Sequence, residues 1–524
     1  MNYRSLPPME LSVVGKSQRL VFARESAVFG VQRGVYRFNN LSFLQTCNRS
    51  LIGLNSAIKA SQRVIAPIQR SEDGIRADSN DMVRLFVGLP LDTVTDTETL
   101  NHSRAIAAGL KALKLLGVEG VELPVWWGVC EKNAMGEYNW KGYLAVAEMV
   151  REAGLKLHVT LCFHGSDSPR IKIPDWVSKI GESQPDIFFQ DRSGKRYKNC
   201  ISLSADELPL LHGKTPLQVY HNFCVNFNSS FSSFMNSTIT GITIGLGPNG
   251  DLRYPSHQQS KKGEIGVGQF QCYDKNILAL LKQHAEAEQK PLWGLGGPHD
   301  APTYDQSPNA TKFFNDDNGS WDSDYGSFFL SWYSNELIAH GDRLLSMVSS
   351  VFNNGLPIYG RIPLLHQLYN TKAHASELTG GFFNTSKNNG YDSIAEIFGR
   401  NSCKMIVQGM DLSSDGRSSN PEKLLKQIID SCSKFGVEIA GQNARLSSGG
   451  LETIKDNVSD LKMKDLFMYE RMGAEFFSPE HFPAFTQFVR SLKQPEIHSD
   501  DLPEKEGVVS SMIRSSSEAE MQVA

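Results

Sequence analysis

The stretch Gly245-Leu-Gly-Pro-Asn-Gly-Asp-Leu-Arg-Tyr-Pro-Ser256 sets a single carboxyl, Asp251, beside Arg253 and Tyr254, on a turn-rich loop directly after the apolar Ile242-Thr-Ile244. A carboxyl, a guanidinium and a phenol at a strand end can move a proton or hold a polar ligand; the same Asp can equally cap a turn. Other groups close other apolar runs. Trp126 and Trp127 follow residues 118–125, His164 follows 156–163, Arg361 and His366 attend 356–362, and Gln442 with Asn443 follows 437–440. Flat rings, amides and cations together suit a sugar, whose apolar face packs on aromatics and whose hydroxyls bond the amides. Taken singly, Trp126 and Trp127 fit a core as well as a site, and His164 fits a structural hydrogen-bonded histidine.

What must position these residues is an alternation of short apolar runs and helical segments. Strands are expected at 83–87, 118–125, 156–163, 240–246, 291–295, 356–362, 403–409 and 437–440. Between them Ile106, Leu110 and Leu113, then Tyr143, Val146 and Val150, fall on single helical faces, and helices are expected at 216–235, 273–286, 328–352, 374–400, 422–435, 450–458 and 479–492. Gly117, Gly154 and Gly436 stand where helices should stop. Strands separated by helices pair in parallel, and eight such units predict a single (β/α)8 TIM barrel with long βα loops, its chemistry at the carboxyl ends of the strands. An open doubly wound sheet would need a Gly-x-Gly-x-x-Gly or Gly-Lys-Ser/Thr loop opening a helix, and the sequence has neither. With Asp251 after the fourth strand and Gln442 after the eighth, the two should face each other across the mouth. Inverting glycoside hydrolysis uses two facing carboxyls, roughly 6.5–9.5 Å apart with a water between; here one of the pair is an amide.

The 524 residues are 40% hydrophobic and 21% charged, with a net charge of −4. That suits a globular fold with a large core and gives no reason to expect nucleic acid as a partner. No run of 18 apolar residues suggests a membrane span. Residues 1–70 hold ten Lys/Arg and only two acids, Glu10 and Glu25, against 43 basic and 55 acidic residues in the remainder. An Arg- and Ser-rich, acid-poor leader predicts an organelle transit peptide with its linker over 1–80. The barrel is expected over 81–495, and the Ser/Glu-rich 496–524 is expected to be a disordered tail. Eight scattered cysteines without a Cys-x-x-Cys or His/Cys cluster predict buried free thiols and no metal site.

Leu246-Gly-Pro-Asn-Gly-Asp-Leu-Arg-Tyr-Pro-Ser256, Gln271-Cys-Tyr-Asp-Lys275, Phe328-Phe-Leu-Ser-Trp-Tyr333, Glu377-Leu-Thr-Gly-Gly-Phe382 and Gly441-Gln-Asn-Ala444 resemble the β-amylases, inverting hydrolases that release maltose from α-1,4-glucan chain ends. The resemblance runs in one order over residues 83–492. It implies a starch or maltodextrin ligand, no cofactor, and substrate contacts from Trp126, Trp127, His164, Arg361, His366, Asn443 and Arg471. The departures matter more. The family's general acid Glu is Asp251 and its general base Glu is Gln442. The Asp before Val-Trp-Trp-Gly is Pro124, a substrate Lys is Arg361, an inner-loop Thr is Ile406, and the Leu that wedges between sugars is Arg445. The lid loop after His164 is shortened over 165–174. An amide cannot deprotonate water, and losing a general base costs roughly 10²–10⁴ in rate. Together these imply a chloroplast protein tied to starch metabolism, without hydrolytic activity of its own, acting through a glucan or a protein partner. A weak β-amylase that uses Asp251 with another base, and a starch-binding scaffold that recruits active enzymes, are the alternatives.

Overall fold

Eight short strands, each paired in parallel with its neighbours, close into a barrel in the computed structural model, which describes residues 83–257, 266–414 and 416–492. In chain order they are β1 (Arg84–Gly88), β2 (Gly120–Trp126), β3 (Lys156–Cys162), β4 (Ile239–Ile244), β5 (Ile358–Ile362), β6 (Lys404–Gln408), β7 (Ile439–Gln442) and β8 (Leu466–Tyr469). The ring shuts where Arg84 of β1 pairs with Leu466 of β8. Covered by helices outside and side chains inside, strands such as β2 are buried at every residue, which is why they read as continuous apolar runs instead of alternating ones.

The helices that carry the chain back are α1 (Ser103–Leu116), α2 (Lys141–Glu152), α3 (Pro216–Ser230), α4 (Lys275–Ala287), α5 (Asp324–Val351), α6 (Tyr391–Arg400), α7 (Pro421–Lys434), α8 (Gly450–Asp460) and α9 (His481–Ser491). Gly117 ends α1 at φ 80, with its N–H bonded to the carbonyls of Leu113 and Lys114, a left-handed conformation that costs glycine nothing. Thr215 and Gln218 form a reciprocal capping box at the start of α3.

Two sequence expectations fail, and they compensate. The run 291–295 is no strand: Pro291–Gly294 forms a 3₁₀ turn after α4 and leaves Leu292 and Leu295 exposed. It starts with proline, carries a glycine and has no β-branched residue, so Trp293 alone in it favours a ladder. The eighth strand is instead Leu466–Tyr469. Four apolar residues without β-branching are too few for periodicity to tell strand from helix. Gln442 therefore ends the seventh barrel strand, not the eighth.

Inside the barrel, Phe86, Tyr359, Ile406, Ala440, Leu466 and Met468 form an apolar layer of their own. Strand side chains alternate between faces, so two residues further on the same strands turn inward again. Tyr359 gives way to Arg361, Ile406 to Gln408, Ala440 to Gln442 and Met468 to Glu470. An apolar plug thus passes into a polar layer at the carboxyl-end mouth. Seven of the eight cysteines are free and buried, as expected. Cys47, the leader 1–80 and the tail 496–524 lie outside the described residues, and no helix among those described is long and apolar enough to cross a membrane.

Candidate functional site at the barrel mouth

The acid loop is fixed before its carboxyl is considered. Gly245 donates to the carbonyl of Leu161 at 2.8 Å, Leu252 to that of Arg361 at 2.9 Å, and Tyr254 to that of Gly380 at 3.0 Å. Tyr254 lies flat on Tyr333, ring centroids 3.8 Å apart, and its hydroxyl donates to the Tyr333 carbonyl at 3.0 Å. His340 of α5 ties the carbonyl of Leu246 (2.9 Å) to the carboxylate of Asp206 (2.7 Å). Gly250 adopts φ 86, and a Cβ there would stand 3.2 Å from the His164 ring. Glycine takes this left-handed conformation without strain and lets the loop backbone pass this close to the ring.

Asp251 is 4% exposed, its Oδ1 has no hydrogen-bond partner, and its Oδ2 lies 3.6 Å from Arg253 Nε. Burial raises its pKa to about 6, against the opposing pull of Arg253 and Arg361. A carboxyl that keeps its proton up to about pH 6 is able to donate it. The folded value lies above the unfolded one, so folding takes up a proton between about pH 4 and pH 6, and stability falls as pH rises through that window. Asp251→Asn is expected to stabilise the fold at pH 7 by up to about 3 kcal/mol, with the gain vanishing below pH 4. Thermal melts of both proteins across this range check it; a difference independent of pH would contradict it.

Gln442 is 2% exposed and its Oε1 has no hydrogen-bond partner. Beside it runs a ladder of charges in which Arg361 and Arg471 meet two acids, Glu470 and Glu122, that sequence reading missed. Glu470, just past β8, contacts Arg471 Nη2 at 2.8 Å and Arg361 Nη2 at 3.9 Å through its Oε1. Arg471 reaches on to Glu122 of β2 at 3.5 Å and donates to the carbonyl of Leu89. Glu122 is 1% exposed, and burial raises its pKa despite Arg471. The signal was an acid in the otherwise apolar Gly120–Trp126.

The remaining candidates divide. Trp126 packs edge-on against His164, centroids 5.3 Å apart, with its Nε1 donating to the Leu91 carbonyl. His164 is buried at the mouth, Nδ1 unpartnered, and burial lowers its pKa to about 3, so it is neutral. Arg361 and Arg471 lie in the polar layer. Trp127 is not at the mouth: it begins a short helix, donates to Glu131 at 2.6 Å and packs on Phe163, Trp176 and Tyr220. Asn443 spends its amide on backbone, donating to the carbonyls of Arg445 and Glu470 and accepting from the Glu470 N–H. His366 sits half-buried on the loop after β5 and shares a hydrogen bond with Ser419 at 2.7 Å. For Trp127 and Asn443 a sugar-contacting role thus gives way to a structural one.

Residues 86–496 match the profile of glycosyl hydrolase family 14. The chain belongs to glycosyl hydrolase family 14. It is 52% identical over 518 residues to Inactive beta-amylase 9 of Arabidopsis thaliana, covering 94% of this chain and 95% of that one. It is 38% identical to the Arabidopsis Beta-amylase 1, chloroplastic, over 80% of this chain and 77% of that one. In fold it matches the crystal structure of the catalytic domain of β-amylase from Paenibacillus polymyxa, with TM-score 0.65, 24% identity, and 79% and 99% of the two chains covered.

Against that family, the shortened lid can be placed. Ser166–Asp167 and Arg170–Ile171 form a two-stranded hairpin, pinned where Asn199 donates to Asp167 at 3.0 Å and where Gly165 donates to the Asn199 carbonyl. Its outgoing strand leads to Lys172, whose backbone presses so closely on Gly128 that no Cβ would fit between them. These contacts hold the hairpin at both of its ends.

Proposed function

We propose that this protein acts in starch breakdown in the plastid as a non-hydrolytic member of the β-amylase family, regulating glucan degradation without cutting glucan. The observation that carries the reading is Gln442, an amide at the strand end where an inverting hydrolase needs a base. Its relatives support the reading: alongside Inactive beta-amylase 9, the chain is 34% identical to Inactive beta-amylase 4, chloroplastic, of Arabidopsis. Chloroplastic relatives and the basic, acid-poor stretch over 1–70 support the plastid. Starch or maltodextrin and other proteins of starch metabolism are its partners in this reading.

The proton held by Asp251 near pH 6 favours one second reading, a weak hydrolase with a substitute base. Glu470 is the carboxylate beside β7, but its Oε1 is engaged by Arg471 at 2.8 Å and by Arg361 at 3.9 Å. The two readings part in a plant lacking this protein. Complementation with Gln442→Ala is expected to restore night-time starch loss as fully as the unmodified chain does. Failure of that variant alone would mean the site acts chemically.

A further inference from the structure

Arg361 enters the barrel from β5, yet its guanidinium meets groups from opposite sides of the ring. Nη1 lies 3.5 Å from where a side chain on Gly250, in the loop after β4, would begin. Nη2 lies 3.9 Å from Glu470, just past β8. β4 and β8 stand half a ring apart, so a group that approaches both lies across the centre of the mouth. Arg471 and Glu122 continue the line to β2. The groups bounding the space are correspondingly shut away: Asp251 is 4%, His164 5%, Arg361 6% and Gln442 2% exposed. A guanidinium is longer and broader than an ammonium and holds a planar shape, so it fills space that a lysine at the same place would leave to its own flexibility.

We propose that Arg361 and Glu470 form a bar across the barrel mouth that occupies the space between Asp251 and Gln442, where a glucan chain end would have to lie. The pair sets specificity by exclusion: the innermost sugar position is closed by the protein's own side chains, and any glucan the protein meets is held outside the bar. Glu470 faces Arg361 on the far side at 3.9 Å, a charge contact without a hydrogen bond, and Arg471 lies 2.8 Å from Glu470. This rests on the non-hydrolytic reading above and adds to it a second, separable cause of inactivity, loss of access in addition to loss of the base.

The full chain titrated calorimetrically with maltotriose tests it, with maltose release read from the same samples. The unmodified protein is expected to give no saturable binding at millimolar sugar. Arg361→Lys shortens the bar. Arg361→Met with Glu470→Gln removes both charges together and so leaves no unpaired ion in the core. The double variant is expected to bind at least about tenfold more tightly than the unmodified chain, with Arg361→Lys between them, and all three are checked for equal cooperative melting. Tight binding by the unmodified protein that either variant weakens would make Arg361 a sugar ligand and overturn the bar. Folded variants that still do not bind would overturn it too, because the mouth would then be closed by other groups. Tight binding by the unmodified chain without maltose release sinks only the bar; release by the unmodified chain sinks the non-hydrolytic reading.

Discussion

Asp251→Glu combined with Gln442→Glu is expected to raise maltose release from soluble starch by less than the ~10²-fold that a restored base alone would add, because Arg361 still closes the innermost sugar position, and to stay well below a working β-amylase. Restoring a base adds roughly 10²–10⁴. Lengthening the acid by one methylene moves its proton by about 1 Å, and an error of that size costs on the order of 10². The two changes act on one transition state, so their effects need not multiply. The shortfall has named sources. Pro124 stands in β2 where the family holds an Asp, the lid loop is shortened to the 166–171 hairpin, and Arg361 lies across the mouth. Adding Arg361→Lys to the pair is therefore expected to raise release further. Reducing-sugar assays with chromatographic identification of maltose measure all three proteins; a double variant no faster than its parent would place the lesion outside the acid–base pair.

Arg471→Met is expected to destabilise the fold by about 3–5 kcal/mol, the cost of leaving a buried charge without its partner. Arg471 is the shared cation of Glu122 and Glu470, at 3.5 and 2.8 Å, and it also donates to the carbonyl of Leu89. Without it Glu122, 1% exposed, keeps Arg361 as its remaining cation and the neighbouring Thr160 hydroxyl to favour its charge. The deficit should shrink on acidification, because a protonated Glu122 no longer needs a cation; burial already raises its pKa, so the shrinkage starts above the ordinary glutamate range. A second change, Glu122→Gln, should recover a large part of the loss if the two residues are coupled. Denaturant melts of the two single variants and the double variant at neutral and acidic pH measure this. Additive losses would mean that the ladder is a set of separate surface pairs.

The barrel was legible because seven of its strands are apolar runs bounded by helices that glycines such as Gly117 stop. β8 was not, since Leu466–Tyr469 offers four residues and no β-branching, and 291–295 stood in for it. That exchange kept the count at eight while moving Gln442 from the last strand to the seventh. Of the site, Asp251, His164, Arg361 and Gln442 were placed at the mouth by lying at strand ends, and Arg471 entered only through the resemblance. Trp127 was misleading because the chain turns into a helix directly after Trp126, which swings the second ring into the core. Asn443 was misleading because its bonds go to backbone 27 residues away, at Glu470. Glu122 and Glu470 were invisible for a different reason: a charge in a barrel is explained by partners on other strands, and closure brings those partners together across hundreds of residues.

The most direct test is the maltose released from soluble starch by the unmodified protein beside its Gln442→Ala variant, near pH 6, where Asp251 is half protonated. Equal and background-level release from both is the expected result. Release by the unmodified protein clearly above that of the variant would mean that the amide, or a carboxylate it positions, still draws a proton from water, and the chain would have to be counted as a hydrolase.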